Sequence, residues 1–279
     1  MTAIDYEAEY NNRARVPEHP AIFIRWARAA EAFRAAHPDA ELGLAYGKSN
    51  REKVDIFWPS AGREAPIALF IHGGYWRSLD PSAFSHLAAG PNAHGIALAL
   101  IGYDLCPGVS METIVDQVRA ATLHLFRRYG RRHLVASGHS AGGHLSACLV
   151  ATDWKKLDAG APEDLVPAGL SISGLFDLAP LMRTSMNQDL RIGAENVERV
   201  SPLRWNVPLD RIFDAWVGGD ESSEFLRHSR EIAEVWAKRG VATRYVALPR
   251  TNHFTVLDPL ADPASEMCLR LAELVNAYD

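Results

Sequence analysis

The sequence is poor in cysteine. Its 279 residues include three, Cys106, Cys148 and Cys268, which are widely spaced and form no C-x-x-C pair. An odd number in this arrangement argues against both a disulfide framework and a zinc site. We therefore expect three buried thiols that hold no metal.

Long apolar runs and an excess of positive charge are also missing. The longest apolar run, residues 95–101, is far too short to span a bilayer, and the first twenty residues carry acids instead of the apolar stretch of a signal peptide. A formal net charge of -5 offers no basic surface for nucleic acid. We expect a cytoplasmic protein that acts on a small molecule without a cofactor, as a monomer or a homodimer. Neither a membrane nor a nucleic acid is expected as a partner.

The composition and the hydrophobic pattern indicate a globular α/β fold. Hydrophobic residues make up 48% of the chain and charged residues 23%, which is close to the globular average. Short apolar runs alternate with helical stripes, so we predict a mainly parallel sheet with helices on both faces. A single domain over residues 1–279 is expected, with an N-terminal helical extension at 1–52 and a cap insertion at 178–208. The predicted strands are 53–58, 66–71, 96–101, 133–136, 169–173, 212–217 and 243–247, and the predicted helices are 20–36, 82–89, 111–129, 143–150, 225–239 and 263–277.

One serine stands between two glycines in the stretch GHSAG, residues 138–142. This is the pattern G-x-S-x-G, in which the serine occupies a strained turn between a strand and a helix. The pentapeptide alone is moderate evidence, but a short buried strand precedes it and a helix-compatible apolar run follows. We predict that Ser140 is a nucleophile.

A serine hydroxyl becomes a nucleophile only when a base removes its proton. For the pattern G-x-S-x-G that base is a histidine further along the chain, which a carboxylate orients, in the order Ser, acid, His. His253 lies in a polar loop after the last predicted strand, which is the expected position. His228 falls within a predicted helix, so we expect it at the surface. His139 and His144 are too close to Ser140 in sequence to complete the order, and we expect them to pack beside the turn.

Two adjacent carboxylates follow the predicted strand 212–217. Asp220 and Glu221 both come directly after Gly218-Gly219. Adjacent side chains on an extended loop diverge, so one of them faces His253, and Glu221 is favoured by its position while Asp220 remains an alternative. Asp177, after an earlier strand, is expected to cap the next segment.

The oxyanion of an acyl-transfer reaction needs backbone N–H donors. Ala141, directly after the serine, supplies one. The loop HGGYW, residues 72–76, follows a buried strand and resembles the HGGG oxyanion loop of lipases and esterases, so Gly74 and Tyr75 are expected to supply others.

Taken together, these motifs resemble one branch of the α/β-hydrolases, the arylformamidase or kynurenine formamidase family. The likeness extends over residues 72–254, and HGGYW is its most specific part because it separates this branch from general lipases. Its pieces are HGGYW (72–76), GYDLCP (102–107), VDQV (115–118), GHSAGGHL (138–145), ATDW (151–154), SGLFDLAPL (173–181), TSMN (184–187), VGGDESSEFLRHS (217–229) and NHF (252–254).

The resemblance implies a triad of Ser140, Glu221 and His253. It also implies hydrolysis of N-formyl-L-kynurenine to kynurenine and formate through an acyl-enzyme. A carboxylesterase or amidase acting on another small ester, and a catalytically silent binding protein of the same fold, are the alternatives. Because a formyl group is small, specificity is expected in the pocket for the leaving group, and the aromatic candidates for it are Tyr75, Trp76, Tyr103, Trp154 and Phe254.

Overall fold

A single eight-stranded sheet forms the centre of the protein. The computed structural model describes residues 4–278, so residues 1–3 and 279 of the predicted domain lie outside the described residues. Within that range the strands are β1 (Glu41–Ala45), β2 (Lys53–Phe57), β3 (Ile67–Ile71), β4 (Ala97–Ile101), β5 (Val135–His139), β6 (Ala168–Ile172), β7 (Ile212–Gly218) and β8 (Ala242–Leu248).

The sheet is mainly parallel, as the alternating pattern predicted. Its strand order is β1-β2-β4-β3-β5-β6-β7-β8, and only the pairings of β1 with β2 and of β2 with β4 are antiparallel in the described chain. From β4 to β8 every neighbouring pair is parallel. The carboxyl ends of these strands therefore meet at one edge, where ligands of open α/β sheets bind.

Helices cover both faces of the sheet. Residues of β3 alternate between two separate hydrophobic cores, with Leu69 in one and Phe70 in the other. Across residues 4–278 the α-helices are α1 (Tyr6–Tyr10), α2 (Asn12–Arg15), α3 (His19–Ala36), α4 (Ala89–Ala93), α5 (Met111–Tyr129), α6 (Ala141–Val150), α7 (Trp154–Leu157), α8 (Asn187–Leu190), α9 (Ser223–Ala237) and α10 (Glu266–Asn276).

Helix α5 shows why local signals sufficed for the regular elements. The side chain of Ser110 accepts a hydrogen bond from the N–H of Thr113 and so caps the helix start, while Gly130 ends it in the left-handed conformation with φ 66°. The apolar stripe between these two signals predicted a helix over residues 111–129, and the structure has the same bounds.

The N-terminal extension differs in one respect from the expectation. The region 1–52, predicted to be helical, also contains β1, which pairs with β2 at the edge of the sheet. Its residues are mostly exposed, so it lacks the apolar alternation by which a strand is detected. The region 178–208 consists of short 3₁₀ turns and α8, without a long helix.

None of the described helices combines the length and the apolar character that a membrane span requires.

Candidate active site

Ser140 lies at the sharp turn between β5 and α6. Its backbone is left-handed, with φ 57° and ψ -117°, a conformation that costs a residue other than glycine about 1–3 kcal/mol. Its N–H donates to the carbonyl of Ile172 on the adjacent strand over 2.8 Å, and the side chain is nearly buried. This is the strained strand-to-helix turn that the pattern G-x-S-x-G requires.

The two glycines of the motif have no room for a side chain. A Cβ on Gly142 would lie 1.8 Å from the carbonyl oxygen of Ile71, and one on Gly138 would lie 2.2 Å from the carbonyl oxygen of Gly142. The turn therefore packs directly against the end of β3, where the loop 72–76 begins.

His253 and Glu221 form a buried pair. His253 Nδ1 is 2.6 Å from Glu221 Oε2, and both residues are less than 10% exposed. With a carboxylate at Nδ1, the proton of the neutral ring resides on Nδ1, which leaves Nε2 unprotonated. An imidazole in this state is able to act as a base.

The other oxygen of Glu221 is held as well. Oε1 accepts from the hydroxyl of Ser173 at 2.5 Å and from the N–H of Gly218 at 2.7 Å. Asp220 is exposed, and its N–H donates to the carbonyl of Thr251. Of the two adjacent acids, Glu221 is thus the one that reaches His253, as the sequence favoured.

Ser173 is a site residue that the sequence analysis missed. It follows β6, the strand that lies between β5 and β7 in the sheet. Its place at the carboxyl end of a parallel strand was the available signal, since such ends share one edge.

His139, next to Ser140, contacts the loop that contains His253. The two imidazole rings are 4.8 Å apart, and His139 Nε2 is 2.7 Å from the carbonyl oxygen of His253. Burial, with a smaller contribution from His253, lowers the pKa of His139 to about 3, so the ring is neutral and donates Nε2–H to that carbonyl. Its predicted position beside the turn is confirmed.

The loop 72–76 lies against Ser140. A Cβ on Gly73 would be 3.0 Å from Ser140 Cβ, and the backbone is left-handed at Gly74, Tyr75 and Trp76, with φ of 110°, 51° and 56°. Within residues 4–278, the N–H groups of Gly74, Tyr75 and Ala141 donate to no protein acceptor. Unpaired backbone donors beside a serine are the arrangement that stabilises an oxyanion.

A cavity of about 400 Å³ opens at these residues. Ser140, His253, Gly74 and Tyr75 form its base, and an aromatic wall consists of Phe23, Trp26 and Phe254. The remaining lining comes from the N-terminal segment, the residues after the loop 72–76, the end of β5 and region 178–208: Glu7, Tyr10, Asn11, Asn12, Arg13, Arg77, Ser78, Leu79, His139, Ser185, Met186 and Asp189.

Three of the five predicted pocket aromatics were wrong. Tyr75 and Phe254 line the cavity, whereas Trp76, Tyr103 and Trp154 are completely buried elsewhere in the core. Large rings with a polar atom are buried readily when that atom finds a partner. Trp76 Nε1–H donates to His144 at 3.3 Å, and the hydroxyl of Tyr103 donates to the carbonyl of His72 at 2.8 Å.

The surface position predicted for His228 was also wrong. It is 1% exposed, because the N-terminal helix α1 packs on α9 and places Tyr10 over its ring. The helical spacing of Phe225, Ile232 and Trp236, which places His228 on the same buried face of α9, was the available signal.

Other expectations for single residues are confirmed. The three cysteines are free and buried. His144 packs beside the turn, and the carboxylate of Asp177 accepts from the N–H of Ala179 at 3.4 Å.

Comparison with known proteins adds the family. The BD-FAE family model matches residues 54–189. A protein of known structure from a Silicibacter species, described as a candidate thioesterase, is 34% identical with a TM-score of 0.86, over 98% of this chain and all of that one. Relatives named kynurenine formamidase match 79–80% of the chain at 27–29% identity. The chain belongs to the arylformamidase-like branch of the α/β-hydrolases.

Named relatives of this hydrolase are kynurenine formamidases. The protein of that name from Danio rerio is 29% identical over 79% of this chain and 77% of its own, and the one from Drosophila melanogaster is 27% identical over 80% and 78%. A hormone-sensitive lipase from a metagenome library shares the fold, with a TM-score of 0.66 and 20% identity over 89% of each chain.

The contacts of the two acids generate a first prediction for the activity of this hydrolase. Glu221→Gln should lower kcat by at least about a hundredfold, because an amide at this position no longer fixes the histidine tautomer. Asp220→Asn is the matched control and should change kcat by less than about threefold, as exposed substitutions do. Steady-state kinetics of both variants on one aryl ester gives the comparison, and an equal loss in the two would contradict the assignment.

Proposed function

We propose that this protein is a serine hydrolase that cleaves a small N-formyl arylamide, N-formyl-L-kynurenine, to L-kynurenine and formate. The observation that carries the proposal is the 2.6 Å contact between His253 Nδ1 and Glu221 at a cavity that Ser140 also lines. Nucleophile, base and acid follow the chain order Ser, acid, His, which agrees with this fold.

In the proposed mechanism His253 removes the proton from Ser140 as the serine oxygen attacks the formyl carbonyl. The N–H groups of Gly74, Tyr75 and Ala141 stabilise the oxyanion, and each such donor is worth about 2.7–4 kcal/mol. His253 then protonates the leaving arylamine as the C–N bond breaks. Water, deprotonated by the same histidine, attacks the formyl-enzyme and releases formate.

The aromatic wall of the cavity supports an aryl leaving group. Phe23 and Phe254 pack edge to face with ring centroids 5.1 Å apart, and Trp26 extends this surface. Such rings contribute large apolar contact areas with preferred stacking geometries. Specificity is therefore assigned to the leaving group, since the formyl group itself is small.

The charged residues of the lining support an anionic substituent on that leaving group. Arg77 pairs with Asp189 at 2.7 Å, and Glu7 accepts from the N–H and the hydroxyl of Ser185. Arg13 has no carboxylate within 4.0 Å among the described residues, and its guanidinium lies 5.8 Å from the centroid of the Phe23 ring. A guanidinium beside an aromatic wall fits an aryl group that carries a carboxylate.

Hydrolysis of another small ester is the second candidate. It is favoured by the similarity to the candidate thioesterase from Silicibacter, which extends over nearly the whole chain. The same site would perform that reaction with an alcohol or a thiol as the leaving group.

Substrate comparison tests the proposal. We expect kcat/KM for N-formyl-L-kynurenine to exceed that for p-nitrophenyl acetate, because both place an aryl ring at the aromatic wall but only the former carries a carboxylate for Arg13. Ser140→Ala should lower both activities by about 10⁴-fold or more. Ester turnover without deformylation would overturn the formamidase assignment and favour the esterase.

A second experiment addresses Arg13. Arg13→Gln should lower kcat/KM for N-formyl-L-kynurenine by about tenfold, since hydrogen bonds to charged groups contribute about 1.5–3 kcal/mol and this one lies at an exposed rim. The methyl ester of the same substrate, which has no carboxylate, should be affected by less than twofold. Arg15→Gln, two residues away and outside this cavity, is the control. Equal losses on the acid and its methyl ester would rule out the charge interaction.

A further inference from the structure

We infer that Tyr10 and the side chain of Tyr75 position the oxyanion loop. The inference rests on the proposed function, because the N–H of Tyr75 is one of the oxyanion donors assigned there. A set of hydrogen bonds joins the N-terminal segment, the loop 72–76 and the start of α9.

The first part of this set holds the Tyr75 side chain. Its hydroxyl donates to the carbonyl of Tyr10 over 2.6 Å and is 3.3 Å from Nδ2 of Asn12, which donates to it. The phenol of Tyr75 therefore has both a donor and an acceptor from the N-terminal segment. Burial raises its pKa well above the ordinary value, so the hydroxyl keeps its proton for the Tyr10 carbonyl.

The second part holds Tyr10 itself. Its hydroxyl donates to Glu224 Oε2 at 2.7 Å and lies 2.8 Å from His228 Nε2. The N–H of Phe176 donates to His228 Nδ1 at 3.3 Å, so the ring proton is on Nε2 and is donated to the Tyr10 oxygen. Every polar atom in this chain of bonds has a partner of the right type.

The charges in this network are fixed near neutral pH. Burial raises the pKa of Glu224, but hydrogen bonds from Arg227 and Tyr10 outweigh it, and the net pKa is lowered. Burial and the neighbouring Arg227 lower the pKa of His228 to about 3. A carboxylate and a neutral imidazole are the states that the hydrogen bonds require.

The network connects the two halves of the site. Glu224 lies on the first turn of α9, three residues after Glu221. The ring of Tyr10 packs edge to face on Phe225, with centroids 5.9 Å apart, and Phe225 packs on His253 at 4.5 Å. Tyr10 therefore contacts the oxyanion loop through its carbonyl and helix α9 through its ring and hydroxyl, and Phe225 of α9 in turn contacts His253.

The hydrogen bond from Tyr75 to Tyr10 matters because the backbone at Tyr75 is strained. Tyr75 is left-handed, with φ 51°, a conformation that residues other than glycine leave readily unless the surroundings hold them. Rotation of Tyr75 toward negative φ would turn its N–H away from Ser140. The hydroxyl is the single polar atom of that side chain, so its hydrogen bonds with the Tyr10 carbonyl and Asn12 are the polar contacts that resist this rotation.

Removal of one oxygen atom tests the inference. Tyr75→Phe should lower kcat for an aryl ester by about tenfold with KM changed less than twofold, because the loss affects the transition state. The affinity for an aryl trifluoromethyl ketone, which forms a tetrahedral adduct at the serine, should fall by the same factor. Tyr10→Phe, which leaves the Tyr10 carbonyl in place, should give a smaller loss of the same kind.

Tyr46→Phe is the matched control. The hydroxyl of Tyr46 also donates to a backbone carbonyl, that of Gly102, over 2.6 Å from a half-buried ring. It should lower the thermal stability to a similar extent and leave kcat and the ketone affinity unchanged. If Tyr75→Phe fails to fold, Asn12→Ala removes the other partner of the same hydroxyl and should show a smaller loss in both quantities.

The outcomes separate this inference from the proposed function. Wild-type kcat and ketone affinity in Tyr75→Phe, with Ser140→Ala inactive, would overturn the positioning role and leave the serine mechanism intact. Full activity of Ser140→Ala would overturn both. A parallel loss of kcat and ketone affinity in Tyr75→Phe, with Tyr46→Phe unchanged, is the result we expect.

Discussion

The left-handed turn at Ser140, closed between two glycines that have no room for a Cβ, is the constraint on which the site depends. Because Gly142 touches the carbonyl of Ile71, the serine can only sit where β3 ends. The loop that leaves β3 therefore packs against Ser140. A strained conformation of this kind persists only where the surrounding sheet enforces it.

The order of the strands in the sheet determines where the other side chains of the site lie. From β3 through β5, β6 and β7 to β8, neighbouring strands end in the oxyanion loop, Ser140, Ser173, Glu221 and His253 in turn. The parallel sheet thus arranges five parts of the site along one edge. Ser173 and Gly218 complete the hydrogen bonds of the Glu221 carboxylate, so the acid that orients His253 is itself held in place.

Features that depend on a short local motif could be predicted from the sequence, whereas features that depend on contacts between distant residues could not. The turn at Ser140, the oxyanion loop and helix α5 carry local signatures, and Glu221 was favoured over Asp220 by position. Trp76 and Tyr103 were misplaced because burial of an aromatic ring depends on partners distant in the sequence, which are His144 for Trp76 and His72 for Tyr103. Trp154 is buried without a hydrogen-bond partner for its indole N–H among the described residues. The role of Tyr10 was invisible for the same reason, since its bonds to Glu224 and His228 join residues more than two hundred positions apart.

The N-terminal segment lines the cavity together with region 178–208. The region 178–208 was expected to form the cap, and Ser185, Met186 and Asp189 do line the cavity. Yet Tyr10, Asn12 and Arg13 line it too, and Phe23 and Trp26 of α3 supply most of the aromatic wall. Differences in this segment between relatives would therefore alter the lining of the cavity without changing Ser140, Glu221 or His253.

The central claim is that Ser140 is the nucleophile of a working triad. Mass spectrometry of the protein after reaction with a fluorophosphonate tests it most directly. The account predicts one stoichiometric adduct, located on the peptide that contains Ser140, together with complete loss of ester hydrolysis. An adduct on another residue, or continued hydrolysis with Ser140 fully labelled, would contradict it.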